Sequence, residues 1–120
     1  DACWGLTASY SVKGYNAHMP SNDHGVITPT AALSSYPYTP EESSKALKHF
    51  YFNLGDSIWG KYGFYDAFSE GENWYPRRYL AIDQCTITPM IENYRTNLLW
   101  NLFMSHPDVQ KGIQKIQSIK

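Results

Sequence analysis

Asp66 stands in a run of rings. The stretch Lys61-Tyr-Gly-Phe-Tyr-Asp-Ala-Phe68 carries four aromatic side chains and one carboxylate in eight residues. Gly60 and Gly63 leave the backbone free to turn there. Glycine and aromatics are poor helix formers, so this is not a core helix. Flat rings suit the C–H faces of a pyranose, and a carboxylate held among rings can have its pKa raised enough to act as an acid. The competing reading is a buried aromatic turn in which Asp66 caps a helix or pairs with an arginine. Asp83 precedes a helical region and reads either as an N-terminal cap or as an acceptor for sugar hydroxyls. Trp4 and Trp74 are flat platforms for sugar or, equally, core filling. Tyr62 and Tyr65 would set the dielectric around Asp66 and bind sugar, and Tyr10 and Arg95 are further substrate candidates. Glu92 and Arg95 lie three apart on one helix, which by default is a structural ion pair. His18 and His24 flank a loop without metal-ligand spacing, so neither a metal nor a cofactor is expected.

Composition limits the partners. At 120 residues the chain is one domain or part of one. With 42% apolar and 18% charged residues it reads as globular. A net charge of -1 and the lack of a Lys/Arg run argue against nucleic acid and against a membrane surface. The aromatic share of 16%, with ten Tyr and four Trp, fits carbohydrate or protein contact better. The opening Asp1-Ala-Cys-Trp has the look of a processed or truncated chain. Cys3 and Cys85 could pair in an oxidising compartment, but two cysteines make no disulfide framework.

Helices in pairs, with long aromatic loops between them, must position these residues. Weak alternation from Cys3 to Met19, with Ser11–Gly14 as a turn, predicts a β-hairpin. Pro20–Gly25 is a loop. Thr28 and Pro29 read as cap and first residue of a short helix to about Ser35. Thr39, Pro40 and Glu42 form a capping-box pattern. Behind it, Ala46, Leu47, Phe50, Tyr51 and Leu54 share one face, Gly55 is the stop, and His49 reads as solvated or packed. Asp56 to Arg78 is an ordered loop, of the length that is usually functional. Thr88-Pro89 repeats the cap-plus-proline signature, although Asp83 and Gln84 suit a turn begun earlier. A break near Asn97 precedes Leu98–Met104. Ser105–Asp108 then starts a last helix with Val109, Ile113 and Ile116 on one side and lysines in the open.

Several tracts together resemble the C-terminal part of the bacterial "putative glucoamylase" family. They are Trp4–Ser9, Gly25–Ser35, Tyr38–Glu42, Tyr62–Phe68, Leu80–Gln84, Met90–Arg95 and Leu98–Met104, in order along nearly the whole chain. The family includes endo-β-1,2-glucanases and is related to a domain of cyclic β-1,2-glucan synthases. The resemblance implies a mainly α fold, in which residues 1–120 are the C-terminal fragment of an (α/α)6 toroid and supply one wall of its cleft. It implies a glycoside hydrolase acting on glucan, most of all β-1,2-glucan, by inversion, in the periplasm or outside the cell. Asp66 stands at the motif's carboxylate and is implied as catalytic. Thr7-Ala8-Ser9 replaces the tract in which synthase relatives carry a second glutamate, so the second carboxylate would come from the missing N-terminal portion. Cys85 stands where the family usually has glycine. A non-catalytic carbohydrate-binding piece, or a structural piece completing a partner's toroid, is the alternative.

Overall fold

The computed structural model describes residues 2–119. About half of the chain is helical, with two small antiparallel strand pairs, and no helix is long and apolar enough to cross a membrane. The predicted hairpin forms: β1 (Ala8–Ser11) pairs with β2 (Gly14–Ala17) through Ser11 and Gly14, around Val12-Lys13. Gly14 takes φ +110, which a side chain would resist.

The helix signals are correct in place and wrong in mechanism. α1 (Pro29–Ser34) and α2 (Pro40–Lys48) begin on their prolines behind Thr28 and Thr39. Neither threonine caps with its side chain. The Thr39 hydroxyl instead donates to the Ser35 carbonyl and meets the Ser43 hydroxyl, so no capping box forms. After Lys48 the helix widens into a π-helical turn, His49–Asn53. Gly55 is not the predicted stop but the first residue of the short α3 (Gly55–Ile58). Ala46 and Phe50 are buried as the spacing requires, whereas Tyr51 is exposed.

The expected loop after Asp56 is better ordered than its composition suggests. β3 (Trp59–Gly60) and β4 (Gly63–Phe64) make a tight hairpin. The core lies beneath it, where Phe50 sits edge-on to Phe64 and Phe68 with centroids 6.0 and 5.5 Å apart, together with Leu33 and Ile58. Cys3, Trp4 and Tyr75 pack against that cluster.

α4 (Ala81–Thr96) starts about two turns before the Thr88-Pro89 signature, and Pro89 sits inside it. The chain then breaks at Asn97, which takes the left-handed conformation (φ 57) between α4 and α5 (Leu98–Ser105). The Asn97 side chain does not cap α5. That is done by Asn93, buried one turn earlier, whose Oδ1 accepts from the Leu99 and Trp100 N–H groups at 3.0 and 3.1 Å. α6 (Pro107–Gln117) follows, capped by His106. α1 packs on α2 and α4, while α5 packs on α4 and α6.

The α5–α6 arm leaves much apolar surface open. α5 buries none of its residues, although Leu98, Leu99, Trp100, Leu102, Phe103 and Met104 are large and apolar. The radius of gyration is 16.9 Å, against roughly 14 Å for a closed domain of this length. An apolar face of this kind belongs against other protein.

Asn93→Ala should leave the first N–H groups of α5 without their acceptor, at a cost of about 1–3 kcal/mol. Amide exchange at Leu99 and Trp100 should then speed up about tenfold or more. Unchanged exchange would mean that α5 does not depend on Asn93.

Candidate active site

The backbone around Asp66 is tied down on both sides. Tyr65 N–H donates to the Ile58 carbonyl and Asp66 N–H to the Arg78 carbonyl, both at 2.8 Å. Ile27 and Phe68 exchange two backbone bonds, at 2.8 and 2.9 Å. These ties run residues 65–68 through the interior, and the Asp66 side chain is left 1% exposed.

A carboxylate so placed needs partners. Tyr10 N–H donates to Asp66 Oδ2 at 2.8 Å across 56 residues. Asp66 Oδ1 is buried with no protein donor, and so is Asp83 Oδ2. The two carboxyl groups are in hydrogen-bonding contact, and one proton held between them satisfies both oxygens. Burial first, and then the hydrogen bond and charge of Asp66, push the Asp83 carboxyl up to about 7. Asp83 lies in the first turn of α4. There the helix dipole favours the anion by about 0.3–1 kcal/mol, which the burial and the neighbouring charge outweigh. Below about pH 7 Asp83 holds a proton, with Asp66 as the acceptor beside it. Asp83 is not the N-cap of α4, a place that Leu80 takes.

Two clefts meet at the start of α4. An open one of about 490 Å³ is lined by Asp83 and by the hydroxyls of Thr30, Ser34 and Thr86. Thr30 Oγ1 donates to the Asp83 carbonyl at 2.7 Å and lies 2.8 Å from Thr86 Oγ1. The neighbouring Gln84 lines a second cleft of about 350 Å³ with Trp59, Tyr62 and Phe64, and its amide donates to the Phe64 carbonyl at 2.6 Å. One cleft is thus hydroxyl-lined and the other ring-lined.

The other sequence candidates divide. Tyr62 is exposed, with Lys61 Nζ 5.3 Å from its ring centroid, and it meets the Tyr79 ring at 5.5 Å. Tyr65 packs on Tyr79 at 5.0 Å. A side chain at Gly60 would collide with both the Tyr65 and Tyr79 hydroxyls, so that glycine is what lets the rings close in. Tyr10 contributes its backbone N–H to Asp66, and its ring lies 4.9 Å under the Arg78 guanidinium. Trp4 packs against the core and its indole donates to the Glu42 carbonyl at 3.4 Å, which is a structural use. Trp74 is half-buried in a backbone pairing with Ser69. Arg95 is exposed and paired with Glu92 at 3.3 Å, the expected ion pair. It is absent from both clefts. No bridge joins Cys3 to Cys85.

Sequence reasoning missed two groupings. Thr30 and Ser34 lie four apart on α1, a legible spacing, but their link to Thr86 spans more than 50 residues. Cys3, His49 and Glu70 also converge, with ligand atoms all within 4.8 Å of one another.

The scaffold is thus mainly helical, with a carboxyl pair beside a hydroxyl-lined cleft and a ring-lined cleft nearby. The chain belongs to the family described as "Putative glucoamylase", whose sequence model matches residues 1–107. It is 60% identical over 120 residues to an exo-β-1,2-glucooligosaccharide sophorohydrolase (non-reducing end) of Parabacteroides distasonis, with 98% of this chain covered and 17% of that protein. The endo-β-1,2-glucanase from Chitinophaga pinensis, solved as a sophorotriose and glucose complex, is 66% identical and superposes with a TM-score of 0.92, covering 95% of this chain and 28% of that one. A "putative glucoamylase" from Bacteroides uniformis gives 66% identity and a TM-score of 0.92, over 94% and 27% of the two chains. The chain therefore spans between about a sixth and somewhat over a quarter of the length of these relatives.

Asp83 should titrate near 7 when followed by carboxyl NMR of the labelled protein. Because its folded value lies above the 3.8 of an ordinary aspartate, the folded state binds the extra proton between the two, and this group's contribution to stability falls as pH rises across that window. In Asp66→Asn the transition should move down, yet stay above the usual carboxylate range because burial remains. An unmoved transition would mean that the two carboxyls do not interact.

Proposed function

We propose that this chain is part of a glycoside hydrolase that cleaves glucan, with β-1,2-glucan as substrate, and that Asp66 is one of its catalytic carboxylates. The observation that carries this reading is the proton-sharing pair. It lies within a stretch 60–66% identical to enzymes named for β-1,2-glucan hydrolysis. The chain would form the C-terminal helices and one cleft wall of an (α/α)6 toroid. The rest of that toroid would cover the open apolar face of α5. Handling of a polysaccharide is our support for a periplasmic or secreted location.

The geometry favours the base side of the chemistry. Asp66 Oδ1 and Asp83 Oδ2 are both sealed from solvent without a protein donor, and a proton shared by the pair would serve them. Asp83 is half-buried on the cleft wall, with Asp66 behind it. Asp83 passes its proton inward to Asp66 as its outward oxygen takes one from the attacking water, whose oxygen bonds to the anomeric carbon while the glycosidic C–O bond breaks; the negative charge of the pair is neutralised in that step. Two carboxyls in contact are closer than the roughly 5–5.5 Å of retaining enzymes or 6.5–9.5 Å of inverting ones. Asp66 and Asp83 are therefore not the two opposed carboxyls of either arrangement, and on this reading the pair serves the water while another group protonates the leaving oxygen. That group would come from outside this chain, across a gap wide enough for water, which is the inverting arrangement.

The test is product release by the full-length protein from linear β-1,2-, β-1,3- and α-1,4-glucans, alongside Asp66→Asn. Release from β-1,2-glucan should fall by at least ~100-fold in the variant. Release from α-1,4-glucan instead would overturn the substrate assignment, and full turnover in the variant would overturn the site. Binding without products would favour a non-catalytic carbohydrate-binding piece.

A further inference from the structure

We propose that Cys3, His49 and Glu70 form a binding site for one zinc-like divalent cation, independent of the glucan-cleaving site. Three different donors arrive from three separate parts of the chain. Cys3 comes from the tract before β1, His49 from the first position of the π-helical turn, and Glu70 from the turn after Phe68. Their sulfur, nitrogen and oxygen atoms lie within 4.8 Å of one another, and His49 Nε2 is 3.2 Å from Glu70 Oε1.

Tetrahedral zinc with bonds of 2.0–2.3 Å places its ligand atoms roughly 3.3–3.7 Å apart. The cluster thus needs to contract by about 1.5 Å at most to close around a metal. Cys3 and His49 are half-buried and Glu70 is exposed, so one side stays open for entry and for a fourth, water ligand.

The donor set selects the metal. Calcium and magnesium take oxygen ligands, whereas one thiolate, one imidazole and one carboxylate suit zinc or cobalt. Charge also balances: a dication with a thiolate and a carboxylate is neutral, and binding releases the thiol proton to solvent. Each donor is held from behind. Cys3 packs against the core. The His49 ring lies 6.2 Å from that of Phe50. Glu70 is held in a turn closed by Asn73 N–H on its own carbonyl at 3.2 Å and by the Ser69–Trp74 pairing. A π-helical turn is a recurrent feature of functional sites, and this one begins on a proposed ligand. Without metal, Glu70 accepts hydrogen bonds from both the Cys3 thiol and His49. The donors are thereby gathered around one point before any cation arrives. A bound ion would tie the N-terminal tract, whose Tyr10 N–H holds Asp66, to residues 49 and 70.

The test uses the full-length protein, stripped of metal and titrated with Zn²⁺ and then Co²⁺. Zinc should bind with one equivalent that is lost in Cys3→Ser. Cobalt should give a thiolate-to-metal charge-transfer band that Cys85→Ser keeps and Cys3→Ser abolishes. Glu70→Gln, at the exposed ligand, should fold normally and weaken zinc binding by about 10–100-fold or more. Equal zinc stoichiometry in wild type and Cys3→Ser, or a cobalt spectrum whose thiolate band survives Cys3→Ser, would overturn the proposal. The cluster would then be a hydrogen-bonded clamp only. None of these readouts depends on glucan turnover, so the site stands or falls apart from the proposed reaction.

Discussion

The Asp66 carboxyl, buried to 1% exposure, constrains the rest of this structure. An unpaired ion there would be untenable, and a single missing partner costs several kcal/mol. The chain meets that requirement with one backbone N–H from the hairpin and one proton from the first turn of α4. Both donors arrive from far along the sequence, so the hairpin and α4 must each lie where they do. The hydroxyls of Thr30 and Thr86 then bind α1 to α4, and the Gln84 amide binds α4 to β4. Burial and function coincide here, because the same isolation from water that demands partners also lets the two carboxyls share a proton.

Much of this was legible in the residues. The ring-rich stretch around Asp66, both proline-led helices, the hairpin at Ser11–Gly14 and the break at Asn97 all follow from local chemistry. What escaped was chosen by tertiary packing. Thr28 and Thr39 occupy cap positions without capping, since their surroundings turn the hydroxyls elsewhere. Pro89 reads as a helix start, yet the bonds of Asp83 and Gln84 to neighbouring elements begin α4 earlier. Gly55 reads as a stop, but the π-helical turn ends that helix first. The partnership of Asp66 with Asp83 is 17 residues long in sequence and carries no periodic signature. Likewise Trp4, Trp74 and Arg95 are attractive by type alone, and only their surroundings show Trp4 against the core, Trp74 in a backbone pairing and Arg95 in a surface ion pair.

The arm of α5 and α6 stands apart from the rest of the chain in what it leaves uncovered. A helix in which six of eight residues are large and apolar has no stable exposed state as a soluble surface. Its partner surface must come from elsewhere in the assembled protein. The half of the chain that holds the carboxyl pair behaves differently, with Phe50, Phe64 and Phe68 closing a core of their own. The carboxyl pair thus has its immediate support inside this chain.

The bond from Tyr10 N–H to Asp66 has a further meaning for the order of assembly. Closing a loop of 56 residues costs roughly 3–4 kcal/mol of chain entropy, whereas one such bond returns about 1–3 kcal/mol. The hairpin cannot be held by that bond alone. It docks only together with the neighbouring tie from Thr28 N–H to the Gly5 carbonyl, at a glycine whose φ of +142 and tight approach admit no side chain. Placement of the N-terminal tract and completion of the carboxylate's shell are therefore one cooperative event. A chain caught short of it would have its helices without its chemistry.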